Sequence, residues 1–191
     1  MNNITHVGGI PIGIFQWNDF NLYQTDLVSL CLSLEKPNIV ESNIASSAKS
    51  NLWESDFSFL SNSKLTPLAT WINQTTTQFV NQINQSNYRI AITESWAHVT
   101  RNQGSHDPHR HPNSTWSGIF YVDADNTANA YNTWWNLATM PREPGLEFYS
   151  EQFTINFIPG QLVIFPGTML HYAKPYSGSQ RIIIAFNSIC V

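Results

Sequence analysis

The sequence predicts a mainly β fold: a two-sheet sandwich or jelly roll in the C-terminal half, preceded by helices. Three observations predict it. An apolar period near 3.6 residues is present before about residue 88 and is lost after it. From there, short runs rich in Ile, Val, Thr, Phe and Tyr alternate with clusters of Pro, Gly, Asn and Asp, the pattern of successive strands joined by turns. The chain has 191 residues, enough for one ordinary domain with a full core and short for two. We therefore expect a single domain over 1–191, with 1–87 as a helical support and 88–191 as the jelly-roll core.

Taken in order, residues 19–35 place Phe20, Leu22, Tyr23, Leu27, Leu30 and Leu34 close to the helical period, with Asn18 or Asp19 available as a cap. Residues 36–64 are rich in Ser and Asn with Trp53, Phe57 and Phe59 scattered among them, and read as an irregular, partly packed connection. Thr66-Pro67 then supplies a cap followed by proline at the first helical position. Leu68, Trp71, Ile72, Thr75, Phe79 and Ile83 mark one face of this second helix, which runs to about Ser86. The expected strands are 89–99, 116–122, 146–149, 152–157, 162–165, 170–173 and 181–187. Residues 123–144 carry Tyr131, Trp134, Trp135 and two prolines with no clean period. Connections of this length are commonly lids or inserts, and the aromatics read either as a lid over a substrate or as packing at the sandwich rim.

Composition narrows the function. Thirteen acidic against nine basic residues leave a net charge of −4. With a pI near 5.8 and no Lys/Arg cluster, the counterion-release term that drives nucleic-acid binding is missing, so no nucleic-acid partner is expected. Cys31 and Cys190 lie far apart without metal-ligand spacing and read as two reduced thiols. Residues 1–6 lack the features of a secretory leader, and nowhere do 18 apolar residues run together. The expectation is a cytoplasmic protein with no membrane partner; the sequence says nothing of its oligomeric state.

Six histidines are unevenly placed, at 6, 98, 106, 109, 111 and 171. In His106-Asp107-Pro108-His109-Arg110-His111, residues two apart on an extended strand share a face. His109 and His111 can therefore address one ion, as can Asp107 and His109. Imidazole suits divalent iron, zinc, copper and nickel. Further on, Gly160-Gln161-Leu162-Val163-Ile164-Phe165-Pro166-Gly167-Thr168-Met169-Leu170-His171 joins an apolar strand to a Pro-Gly turn and a histidine. Arg181 follows ten residues later and opens Arg181-Ile182-Ile183-Ile184-Ala185-Phe186-Asn187.

These segments, together with Trp116-Ser117-Gly118-Ile119-Phe120-Tyr121-Val122, resemble the iron(II)- and 2-oxoglutarate-dependent oxygenases. Within that superfamily they are most similar to a small branch with an HxH motif, a Ser-Gly-aromatic-Tyr strand and a terminal Arg…Phe-Asn strand. The resemblance spans roughly residues 90–190. It implies a double-stranded β-helix, Fe(II) as the metal, 2-oxoglutarate as cosubstrate, and oxidation of an organic substrate with release of succinate and CO2.

Most members of the superfamily hold iron with two histidines and one carboxylate, whereas this chain places His111 where the carboxylate stands. Three readings stay open. One is a face of His109, His111 and His171; another takes Asp107 as the carboxylate, with His111 turned outward; the third is a site that has lost its metal. Asp123 and Asp125 are further carboxylates within the same stretch.

Facing sheets lie about 10 Å apart, so a ten-residue connection lets Arg181 look across the interior, where its planar fork suits the distal carboxylate of a short diacid. Ser117, Tyr121 and Asn187 sit at parities that allow them to line the same cavity and bind cosubstrate. His6, His98 and His106 read as bystanders. His98 shares parity with Glu94 and Trp96 and either lines the cavity or satisfies a core hydrogen bond.

The leading expectation is thus a dioxygenase acting on a small-molecule or peptide substrate, with a protein or peptide side chain favoured by analogy with prolyl hydroxylase-like members. The alternatives are a cupin-like metalloenzyme that does not use 2-oxoglutarate and a catalytically silent jelly roll with a binding or structural role.

Overall fold

Residues 162–165 and 182–186 are apolar at every position, which a strand requires only when both its faces are covered. The computed structural model, which describes residues 4–7, 9–36, 49–135 and 152–191, shows what covers each face. Its strands are β1 (Ile4–Val7), β2 (Ile10–Gln16), β3 (Lys49–Glu54), β4 (Ile90–His109), β5 (Trp116–Ala124), β6 (Asn132–Trp135), β7 (Gln152–Ile155), β8 (Gln161–Pro166), β9 (His171–Ala173) and β10 (Gln180–Cys190). Two α-helices, α1 (Phe20–Leu34) and α2 (Thr66–Asn84), and three short 3-10 turns complete the described elements. All the paired strands are antiparallel, in the order β1-β2-β8-β5-β10-β4-β9-β6-β7, with β3 paired to β4.

Alternation along the central strands sorts their side chains onto two cores. Phe120, Val122, Leu162, Ile164, Ile182, Ile184 and Phe186 pack outward against Phe20, Leu27, Cys31, Leu68, Ile72 and Phe79 of the helices. Ile119, Tyr121, Val163, Phe165 and Ile183 point inward and pack with Trp134, Phe157, Met169 and Tyr176. The helices therefore serve as the outer cover of the sheet, and the inward face is left to form the cavity.

β4 makes the roll. Its first half pairs with β10 and its last residues with β9, and the register slips between His106 and His109. The turn of direction falls at Gln103, whose φ of 62° lies in the left-handed region, and Gly104, where a Cβ would stand 2.5 Å from the Asn51 carbonyl oxygen. Backbone bonds from Gln103 to Tyr176 and from Tyr176 back to Gly104 hold the bend.

Several elements differ from the sequence reading. β1 and β2 were not expected; they extend the sheet beyond β8. The connection taken as irregular contains β3, whose pairing with β4 makes it regular only in the tertiary context. α2 starts at Thr66 itself, with Leu65 in the cap position, so Thr66 is helical and not a cap. Of the two readings left open for Trp134, packing holds: it is fully buried on β6, stacked on Phe153 at 5.6 Å and edge-on to Phe165, in the inner core. The expected strand at 146–149 lies outside the described residues, as does most of the 123–144 segment beyond β6. Both cysteines are free thiols. Among the described residues, no helix is long and apolar enough to cross a membrane.

Candidate metal centre

Each site residue is placed by a specific local device. His109 is the last residue of β4 and lies opposite His171, the first residue of β9, in the antiparallel ladder. His111 lies beyond the strand end, in a turn whose position is fixed by Gly167. The His111 N–H donates to the Gly167 carbonyl at 2.7 Å, and the Gly167 N–H donates to the Thr115 carbonyl at 3.1 Å. A Cβ at Gly167 would sit 2.4 Å from the Ser114 carbonyl oxygen and 2.8 Å from that of His111, so only glycine allows the two turns to approach. The Pro-Gly turn seen in the sequence thereby fixes two imidazoles at once.

The ligand-capable nitrogens of His109, His111 and His171 all lie within 4.8 Å of one another. The rings are 4.2 Å (His109 to His171), 5.1 Å (His111 to His171) and 5.2 Å (His109 to His111) apart. His109 Nδ1 donates to the Asp107 carbonyl at 2.8 Å and His171 Nδ1 donates to the Met169 carbonyl at 3.0 Å. A carbonyl only accepts, so both rings carry their proton on Nδ1 and keep the Nε2 lone pair for a cation. Burial pushes His109 and His111 down to about 4 and His171 well below its ordinary value. Three neutral imidazoles that converge on one point could hold a metal ion.

Across the same cavity stands Arg181, 2% exposed. One terminal nitrogen donates to Asn132 Oδ1, while Nε has no hydrogen-bond partner among the described residues. Burial lowers it to about 10, and among the described residues no carboxylate forms an ion pair with it. A buried guanidinium satisfied by a single amide is an uncompensated cation, which calls for an anion in the cavity. Tyr121 is also fully buried, and its hydroxyl makes no well-formed hydrogen bond among the described residues; burial pushes it up to about 12, against the opposing influence of the nearby Arg181 charge and the Asn132 backbone.

Other candidates fall elsewhere. Asp107 is exposed and stands outside the convergent group, because the slip between His106 and His109 breaks the two-residue parity on which its candidacy rested. His109 and His111 meet through the turn after β4 and not through strand alternation. Ser117 lines the cavity, but its Oγ lies 2.9 Å from Asn187 Oδ1 and 3.1 Å from Ser114 Oγ. Asn187 is held between Ser117 and Glu94. Asp125 caps the turn at Ser179 and Gln180 and accepts from Tyr176, and Asp123 accepts from Gln180 Nε2; neither is in the convergent group.

The sequence reading passed over Glu54 and Asn132. Glu54 binds His98, with 2.6 Å between Oε2 and Nε2, and Lys49 as well. Both Glu54 and Asn132 lie in segments without periodicity, so only the tertiary pairing of β3 with β4 and of β6 with β9 could reveal them.

The family model described as "Putative 2OG-Fe(II) oxygenase" matches residues 94–187. Among solved structures, a prolyl-4-hydroxylase from Pseudomonas putida is similar over 93% of this chain and 92% of its own, at 11% identity and a TM-score of 0.66. A viral collagen prolyl hydroxylase from Paramecium Bursaria Chlorella virus-1, solved with 2OG, is similar over 92% of this chain and 94% of its own, at 11% identity and a TM-score of 0.58. The epimerase SnoN, solved with Fe3+, alpha ketoglutarate and nogalamycin RO, is similar over 93% of this chain and 78% of its own, at 10% identity and a TM-score of 0.65. At such identities these likenesses speak for the fold, which is the jelly roll. None of the curated proteins compared matches the sequence.

Proposed function

Because residues 94–187 match the model of the 2OG-Fe(II) oxygenases, we propose that the chain is an iron(II)- and 2-oxoglutarate-dependent dioxygenase that hydroxylates an organic substrate and releases succinate and CO2. The single observation that carries this reading is the pairing of three neutral imidazoles with one buried, unpaired guanidinium in a shared cavity. The residues fit both groups: Nε2 of His109 and His171, with a ring nitrogen of His111, suits a divalent metal of intermediate softness, and Arg181 needs the carboxylate that 2-oxoglutarate brings. When bound, iron and 2-oxoglutarate supply the oxidation chemistry itself.

The chain's own residues bind, orient and exclude water. Arg181 binds the distal carboxylate through its terminal nitrogens and Nε, and the Tyr121 hydroxyl is a second donor at that end. Asn132 keeps the guanidinium in place from β6. The Nδ1–H bonds to the Asp107 and Met169 carbonyls fix the ring orientations of His109 and His171. Ile119, Phe165 and Ile183 line the remaining wall and keep it dry, which strengthens every charged contact within. A third imidazole in place of a carboxylate leaves the metal face one unit more positive, and the cosubstrate's negative charge offsets this. A protein or peptide side chain is the favoured substrate, in keeping with the prolyl hydroxylases among the similar structures.

The test is anaerobic addition of Fe(II) and then 2-oxoglutarate, watched for the visible charge-transfer band of the chelate. The band is expected in the native chain and absent in His171→Ala, with Arg181→Leu requiring far more 2-oxoglutarate to produce it. An intact protein that binds less than a few tenths of an equivalent of metal would overturn the reading.

A further inference from the structure

The inward face of β4 carries polar groups that the proposed chemistry does not use. Trp96, His98 and Thr100 stand opposite Ala185, Ile183 and Arg181 in the β4–β10 ladder, so they form a column beside the guanidinium. None of the three belongs to the convergent imidazole group, yet Trp96 and His98 line the same cavity.

Trp96 is buried, with its ring 5.7 Å from that of His111, and its indole Nε1–H has no partner among the described residues. An indole nitrogen is a donor only, and a buried donor without a partner is a destabilising feature unless a ligand satisfies it. His98 is also buried and is held by Glu54, its cross-strand partner on β3, itself bound by Lys49. An ionised carboxylate only accepts, so the His98 proton sits on Nε2. Burial keeps the ring neutral, and Nδ1 retains its lone pair. One wall of the cavity thus presents a fixed donor beside a fixed acceptor.

We propose that Trp96 and His98 form a substrate subsite for a neutral amide. The amide oxygen accepts from Trp96 Nε1–H and the amide N–H donates to His98 Nδ1, with Glu54 as the positioning residue that sets the His98 tautomer. A carboxylate or an ester brings acceptors alone and an ammonium brings donors alone, so each leaves one wall group unpaired. That this amide belongs to the molecule being oxidised rests on the dioxygenase reading; the recognition itself is a property of the metal-free chain.

The test uses the full chain labelled with 15N. The seven tryptophans give seven indole N–H signals, and the one missing in Trp96→Phe identifies Trp96. N-methylacetamide, methyl acetate and acetone are titrated in parallel, first without metal and then with Zn(II) and 2-oxoglutarate. The amide is expected to shift the Trp96 signal saturably and to bind at least about tenfold tighter than the ester or the ketone, which bring acceptors alone. His98→Leu should remove that preference. Trp96→Phe, a milder change, should remove it too, read through the methyl signal of the probe. Equal affinity for the three probes, an unmoved Trp96 signal, or a preference that survives both variants would overturn the subsite. Zn(II) binding, measured separately by calorimetry, keeps the two readings apart: its loss with the amide preference intact supports the subsite and overturns the metal reading.

Discussion

The two faces of β10 do opposite work with the same backbone. Its outward residues Ile182, Ile184 and Phe186 are buried against the helices and carry no polar atom. Its inward residues run from Arg181 through Ile183 and Ala185 to Asn187, and begin with a charge that no carboxylate among the described residues pairs. Folding free energy is gained on the first face by removing apolar area from water, about 25 cal/mol per Å². On the second face it is lost to the desolvation of a guanidinium that forms no ion pair among the described residues. The two helices α1 and α2 are thus part of the site's energetics without lining its cavity: the outer cover makes an unfavourable inner face tolerable.

The comparison can be broken most severely at its two extremes. Ile184→Ala should lower stability to denaturant by about 2–5 kcal/mol while leaving metal affinity per folded molecule unchanged. His171→Ala should do the reverse, weakening metal binding by more than about 100-fold in calorimetry with the fold retained by circular dichroism.

Arg181→Leu sharpens the contrast on a single strand. Removing a buried, unpaired charge should leave stability unchanged or raised. It should also weaken 2-oxoglutarate binding by about 10- to 100-fold, as expected for lost hydrogen bonds to a charged group.

Acidity gives a smaller and graded effect. His109 and His111 are held at about 4, below their ordinary 6.5. Across that window the folded metal-free chain binds fewer protons than the unfolded chain, so its stability is full above pH 6.5 and falls as the pH is lowered toward 4. The denaturation midpoint should therefore drop between pH 7 and pH 5, and less steeply in His109→Phe. The smallest effect belongs to neither face: Glu35 pairs with Arg101 at a partly exposed position, and Glu35→Gln should cost less than about 1 kcal/mol in a double-mutant cycle.

The sequence by itself determined what depends on local pattern. The helical period of 19–35, the apolar runs at 162–165 and 182–186, the Pro-Gly turn before His171 and the arginine at the head of the last strand are all local. Each is a property of residues within one turn or one strand of one another, so spacing alone exposes it. Tertiary structure alone decided which groups meet. The slip in β4 between His106 and His109 sent Asp107 to solvent and brought His111 in through a turn, because a bulge shifts every later side chain relative to the pleat. The same long-range pairing made a strand of 49–54 and placed Glu54 beside His98, and it packed Trp134 against Phe165 where its sequence neighbourhood left lid and packing both open. Strand partners tens of residues apart are chosen by burial over the whole sheet, and no window of sequence contains that sum.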